Sequence, residues 1–205
     1  MALDMTDMYS ALEIAAEVSA YFEILEVGTP LILSQGVSAV KILRDRYPQK
    51  IILADLKIAD AGDYEASIAY EAGADLVTVL GMADFRTIQG AVAAGKRMGR
   101  GVSVDILNMN YSADFAVQLE NLGVACILLH AATDAVYSAT ALAAQISEAV
   151  QHSNLPLAIA GGISPQNIGS LVKSGATIFV TGSSVTQASE PKQAAQLLRN
   201  QVFGR

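Results

Sequence analysis

Eleven residues of this chain stand where short apolar runs end, and their types suit one kind of chemistry. Asp4 follows residues 1–3, Glu26 follows 21–25, and Asp55 follows 51–54 with Lys57 and Asp60 just beyond it. Asp105 follows 102–104 and His130 follows 124–129. Gly161 and Gly162 follow 155–160, and Gly182 and Ser183 follow 177–181. Glu26 and Asp55 offer hard oxygen ligands to Mg²⁺, which would keep waters and take substrate oxygens as well. Zinc has no cluster to bind, because the only other histidine, His152, stands in a polar stretch. Lys57, set among acids, should stay protonated and can stabilise a developing oxyanion or deliver a proton. His130 is the one of these groups whose ordinary pKa lies near neutrality, which makes it the acid/base candidate. The paired glycines and Ser183 present bare amides suited to a phosphate. Ser164–Pro165 reads as an N-cap with proline in the first turn of the following helix.

Taken singly, each has an ordinary use. An acid after a strand caps a helix, and a histidine after an apolar run is often a wall residue. Together they describe a phosphorylated small substrate, a divalent cation, and acid/base groups beside a lysine. That set suits an enediolate next to a carbonyl, with metal and lysine holding the charge. Isomerisation, aldol chemistry and decarboxylation all use these parts, and spacing alone does not choose among them.

The elements that must carry these residues repeat along the chain. Apolar runs alternate with segments of helical spacing, such as Leu12, Ala16 and Ser19, or Ala194, Leu198 and Val202. Gly73, Gly99, Gly123 and Gly175 each stand just after a helical segment and before a strand, where a left-handed residue belongs. Asn154, which also tolerates that conformation, fills the one double step. A unit of about 25 residues is one strand, one helix and two short loops. With Leu3–Asp4 ending a first strand, eight units fit residues 1–205, which predicts an α/β chain folded as a single (β/α)8 barrel. In such a barrel all the residues above meet at the carboxyl ends of the strands, with phosphate sites after strands seven and eight. A doubly wound open sheet is the rival, but it calls for a glycine fingerprint after strand one, where this chain reads LDMTDMYS.

Composition narrows the class. The chain has 205 residues, 52% hydrophobic, so a disordered tail protein is excluded. Its longest purely apolar run, residues 124–129, is far below the roughly 20 residues of a membrane span. A net charge of −7 leaves no basic footprint for nucleic acid. The segment MALDMTDMYS has no basic residue, so no leader is expected, and the lone Cys126 fits a reduced, cytoplasmic setting.

Residues 54–66, ADLKIADAGDYEA, resemble the Asp-x-Lys-x-x-Asp signature of the orotidine-phosphate decarboxylase superfamily. The Asp-Ala-Gly ending is similar to its branch of hexulose-phosphate synthases and keto-gulonate-phosphate decarboxylases. The likeness continues through EVGTPLI at 26–32, EAGADLVTVLGMAD at 71–84, TIQGAV at 87–92, AGGI at 160–163 and TGSSVTQASEP at 181–191. Asp105, Thr133 and Ser183 stand where the decarboxylase pattern has glutamate, arginine and arginine, which leans toward the synthase side. The resemblance then implies a reversible, Mg²⁺-dependent aldol condensation of ribulose 5-phosphate with formaldehyde. It implies Glu26 and Asp55 as metal ligands, Lys57 and Asp60 as a charged pair, and a homodimer in which Asp60 reaches the neighbouring site. It makes His130 the proton-transfer group, with Asp105 and Asp4 ordering substrate hydroxyls. The sister decarboxylase and a non-catalytic sugar-phosphate-binding barrel are the alternatives. The chain departs from the pattern at AVYSAT, residues 135–140, and at Phe85.

Overall fold

Eight parallel strands lie side by side in chain order: β1 (Ala2–Leu3), β2 (Ile24–Val27), β3 (Ile51–Ile58), β4 (Leu76–Leu80), β5 (Gly101–Asp105), β6 (Cys126–His130), β7 (Leu157–Ala160) and β8 (Ile178–Val180). The Ala2 amide donates to the Thr181 carbonyl at 2.8 Å and joins the two ends of the sheet. This computed structural model describes residues 1–132 and 139–204, and the fold is the expected (β/α)8 barrel. Thr133 and Asp134, and most of the AVYSAT stretch, lie outside the described residues.

Helices α1 (Met8–Val18), α2 (Thr29–Gln35), α3 (Ser38–Arg46), α4 (Gly62–Glu71), α5 (Phe85–Met98), α6 (Ala113–Leu122), α7 (Ala139–His152), α8 (Ile168–Val172), α9 (Ser183–Thr186) and α10 (Pro191–Phe203) complete the chain. A large apolar layer joins the strands to these helices, and a smaller cluster of Cys126, Leu128, Ala158 and Ala160 packs with Ile178 and Val180. Alternation puts Cys126 and Leu128 on the same strand face as His130, so this second cluster fills the barrel lumen under the site. Among the described residues no helix is long and apolar enough to cross a membrane.

Gly73, Gly99, Gly123 and Gly175 all have positive φ, as the repeat requires. Asn154 does not; its side-chain amide instead donates to Glu120 at 3.2 Å. The buried stripe of α1 is Ala11, Ala15 and Val18, one residue away from the stripe expected. Tyr21 forms a short 3-10 turn before β2 rather than strand. The carbonyls of Tyr21 and Phe22 accept from Arg199 and Lys50, so cations take the place of a neighbouring strand there. His152 closes α7, where its ring pairs with the Glu148 carbonyl, and does not stand in a loop. Ser164 does not cap a helix: α8 begins at Ile168, and the Asn167 side chain instead bridges the Ser164 amide and the Gly162 carbonyl.

Candidate active site

Strand β3 runs past Asp55 to Ile58, so Asp55 and Lys57 stand inside the strand and not after it. The register with β4 breaks between Ala54 and Ile58. Lys57 takes a left-handed conformation there, with φ of +49°. A non-glycine residue at that φ is held only where surrounding contacts demand it. The contacts converge on the Asp55 carboxylate, which is 7% exposed. The Thr78 hydroxyl donates to Oδ1 at 2.7 Å, the Thr29 hydroxyl donates to Oδ2 at 2.7 Å, and the Lys57 ammonium pairs with Oδ2. Burial pushes the Asp55 pKa up, but Lys57 and the two threonine hydroxyls outweigh it and hold the carboxyl below its ordinary value.

Glu26 lies on β2 between Ala2 and Leu53. Its carboxyl is half-buried, and burial first, then Asp55, raises its pKa to about 7. Asp4 is raised above its ordinary value by desolvation and then by Asp55. Gly28 and Gly182 leave room for the Asp4 carboxylate: a Cβ on Gly28 would stand 2.0 Å from Asp4 Oδ1, and one on Gly182 would stand 3.2 Å from Oδ2.

Across the barrel, His130 Nδ1 lies 2.9 Å from Asp105 Oδ2. Asp105 is wholly buried at the end of β5, and its other oxygen accepts the Leu107 amide at 2.9 Å. Both its oxygens are therefore engaged with protein groups, and the residue faces His130 rather than open space. Burial lowers the His130 pKa, but the Asp105 hydrogen bond and charge outweigh it, so the imidazole titrates above its ordinary value.

The loops after β7 and β8 are tied together by the Ser184 hydroxyl, which donates to the Ile163 carbonyl at 2.7 Å. Gly161 has φ of +101°, and a Cβ there would stand 2.3 Å from the Ala131 carbonyl oxygen, so only glycine lets the start of the loop after β7 lie against the residue that follows β6.

One open cavity of about 1750 Å³ is lined by Asp4, Glu26, Asp55, Lys57 and His130, with Gly161, Gly162, Gly182 and Ser183 at its other side. Nine of the eleven expected residues thus share one space. Asp105 stands behind His130. Asp60 lies outside the cavity, exposed, with its carboxylate accepting the Ala61 amide at 2.7 Å. Phe85 opens α5 and packs on the outer core, so it does not reach this cavity. No role was foreseen for Thr29 or Thr78. Thr29 offered a faint signal as the polar residue after EVG; Thr78 offered only its place near the end of an apolar run.

The donor set admits a hard cation. No three His, Cys, Asp or Glu side chains among the described residues come together as a complete cage. Glu26, whose carboxyl has no hydrogen-bond partner among the described residues and a raised pKa, and Asp55 would supply two oxygen ligands of the kind Mg²⁺ takes alongside water and substrate oxygens.

Residues 1–198 match the model of the orotidine 5′-phosphate decarboxylase / HUMPS family. The chain is similar to the 3-hexulose-6-phosphate synthase of Mycobacterium gastri, with 38% identity covering 97% of this chain and 96% of that protein. In structure it is similar to the 3-hexulose-6-phosphate synthase of Salmonella typhimurium, with TM-score 0.93, 32% identity, and coverage of 99% of this chain and 97% of that one. The 3-keto-L-gulonate-6-phosphate decarboxylase of Vibrio cholerae matches with TM-score 0.87 and 28% identity, covering 99% of this chain and 95% of that one.

Proposed function

The chain belongs to the orotidine 5′-phosphate decarboxylase / HUMPS family, and on that premise we propose that it condenses formaldehyde with D-ribulose 5-phosphate. The product is D-arabino-hex-3-ulose 6-phosphate, the reaction is reversible, and the chain is a lyase. Similarity to proteins named 3-hexulose-6-phosphate synthase over nearly the whole length supports this. The observation that carries it is the buried His130–Asp105 pair opening on the same cavity as the Lys57–Asp55 pair.

The roles follow from position. The loop amides of Gly161, Gly162, Gly182 and Ser183 hold the substrate phosphate, and Asp4 accepts a sugar hydroxyl. With Nδ1 committed to Asp105, His130 presents Nε2 to the substrate and takes the proton from C1. The Lys57 ammonium lies beside the oxygen that becomes negative as the enediolate forms. The enediolate carbon then bonds to the formaldehyde carbon, and the proton on His130 passes to the new hydroxyl. Asp105 holds the imidazole in the working tautomer and stabilises its charged form. Mg²⁺ held by Glu26 and Asp55 would polarise substrate oxygens as a Lewis acid.

The chain is further read as a homodimer with shared sites. Asp60 stands outside its own cavity, and Leu33, Tyr64 and Met82, on three consecutive units, are 82%, 71% and 61% exposed. Apolar side chains that exposed at the same end of a barrel suit burial against a second copy.

The deciding assay follows formaldehyde consumption with ribulose 5-phosphate and Mg²⁺, beside CO₂ release from 3-keto-L-gulonate 6-phosphate. Formaldehyde consumption alone is expected. CO₂ release in its place would assign the decarboxylase, and binding without either turnover would make the barrel a non-catalytic receptor.

A further inference from the structure

Thr78 sits at the middle of β4, is 1% exposed, and does not line the substrate cavity. It borders instead a smaller space of about 310 Å³ deeper in the barrel, beside Ser103 and Cys126. Its single hydroxyl nevertheless contacts both members of the Asp55-x-Lys57 unit. Oγ1 accepts the Lys57 backbone amide at 2.9 Å, and the same hydroxyl donates to Asp55 Oδ1 at 2.7 Å. The register explains why. Ala54 pairs with Val77 and Ile58 pairs with Val79, so residues 55–57 of β3 all face the one residue Thr78. This bulge costs Lys57 its regular ladder acceptor, and the threonine hydroxyl supplies the replacement.

We propose that Thr78 is a positioning residue for the reaction, whose hydroxyl pins the left-handed backbone at Lys57 to the Asp55 carboxylate and so fixes the ammonium against the substrate. The inference rests on the reading of Lys57 and Asp55 as reacting-site groups. Thr29 grips the other Asp55 oxygen from the cavity side, where substrate can reach it; Thr78 grips from beneath, where substrate cannot. Its effect must therefore pass through the pair. Valine has the same shape as threonine but offers neither the acceptor nor the donor, while serine keeps both.

The test compares Thr78→Val and Thr78→Ser with the parent chain. Misplacing a reacting group by an ångström costs on the order of 100-fold, so T78V should lose roughly 30- to 100-fold in kcat. Its KM for ribulose 5-phosphate should stay within about twofold, because the phosphate and hydroxyl contacts lie elsewhere. T78S should keep kcat within about threefold. Crystal structures should show Lys57 left-handed in the parent and in T78S, and displaced in T78V. An unchanged kcat in T78V would overturn the proposal, as would equal damage in both variants or a loss confined to KM. Should T78V fail to fold, Thr78→Ala replaces it with the same expectations. If the parent chain consumes no formaldehyde, the functional reading fails on its own. The crystal comparison then decides, and a left-handed Lys57 persisting in T78V sinks the role given to Thr78.

Discussion

His130 Nδ1 and Asp105 Oδ2 lie 2.9 Å apart, with the carboxylate wholly buried behind the ring. The imidazole pKa is raised because Asp105 outweighs the lowering effect of burial. The neutral, proton-accepting form therefore appears only as pH rises past the ordinary histidine value of about 6.5. Exchange of the substrate C1 proton with solvent should rise with pH through an inflection above that value. In Asp105→Asn the inflection should move below it, since burial and Lys57 then face only the lesser raising effect of Asp55, and the rate should fall at least about 100-fold. The charged pair also stabilises the fold fully below pH of about 6.5, and that contribution is lost as pH rises through the raised pKa. Melting curves of the two proteins should accordingly converge from pH 5.5 to pH 9. An inflection at the same pH in both would remove Asp105 from its role.

Glu26 carries the opposite sign. Its pKa is raised to about 7 by burial and by Asp55, so the folded state disfavours its charged form. The resulting penalty is absent below the ordinary value of 4.5, grows through the window up to about 7, and is complete above it. In metal-free buffer at pH 8, Glu26→Gln should be more stable than the parent by roughly 1–3 kcal/mol, and at pH 4.5 the difference should vanish. Mg²⁺ should raise the melting temperature of the parent at pH 8 and leave Glu26→Gln unmoved. Chelation should abolish turnover. Full activity in metal-free buffer would take Glu26 and Asp55 out of the ligand set.

Asp60 allows the shared site to be tested by mixing. Asp60→Asn and His130→Asn proteins should each be nearly inactive. In a mixed dimer one site would join an intact His130 to the partner copy's intact acid, while the second site carries both lesions. Random pairing makes about half the dimers mixed, so roughly a quarter of all sites should recover. Demonstrated subunit exchange without any recovery would confine Asp60 to its own chain.

Gly28 offers a steric probe of Asp4. Its φ of −64° suits any residue, so the only obstacle to a side chain is the space that Asp4 Oδ1 and the Leu3 carbonyl occupy, at 2.0 and 2.7 Å from an added Cβ. Gly28→Ala should displace the carboxylate, destabilise the fold by about 1–3 kcal/mol, and raise KM for ribulose 5-phosphate roughly tenfold. In an Asp4→Ala background the same change should raise KM no further. An additive rise in KM would mean that Gly28 contacts the substrate by another route.

Most of this architecture was legible because backbone demands leave marks on residue type. Gly73, Gly99, Gly123 and Gly175 stand where only a left-handed residue ends each helix, and all four have positive φ. Ionisable residues and glycines at the ends of apolar runs likewise declared themselves, and nine of the eleven residues singled out share the cavity. Strand β2 was misplaced because Tyr21 and Phe22 look like strand formers, while the cations that bind their carbonyls, Arg199 and Lys50, are remote in sequence. The role of Thr78 was hidden for a related reason. Threonine is an ordinary strand residue, and only the broken register between β3 and β4 turns its hydroxyl toward Lys57. The roles read into Thr133 and the AVYSAT stretch fall outside the described residues.

The barrel closes through the two-residue β1, whose Ala2 amide reaches Thr181. That closure is also what brings Asp4 beside Gly182. During synthesis, then, β1 must wait beside β2 while nearly all the remaining chain emerges, and the long-range pairing that completes the cylinder comes at the end. A nascent chain halted before Gly182 therefore carries Lys57, Asp105 and His130 but lacks the loop that lines the other side of their cavity.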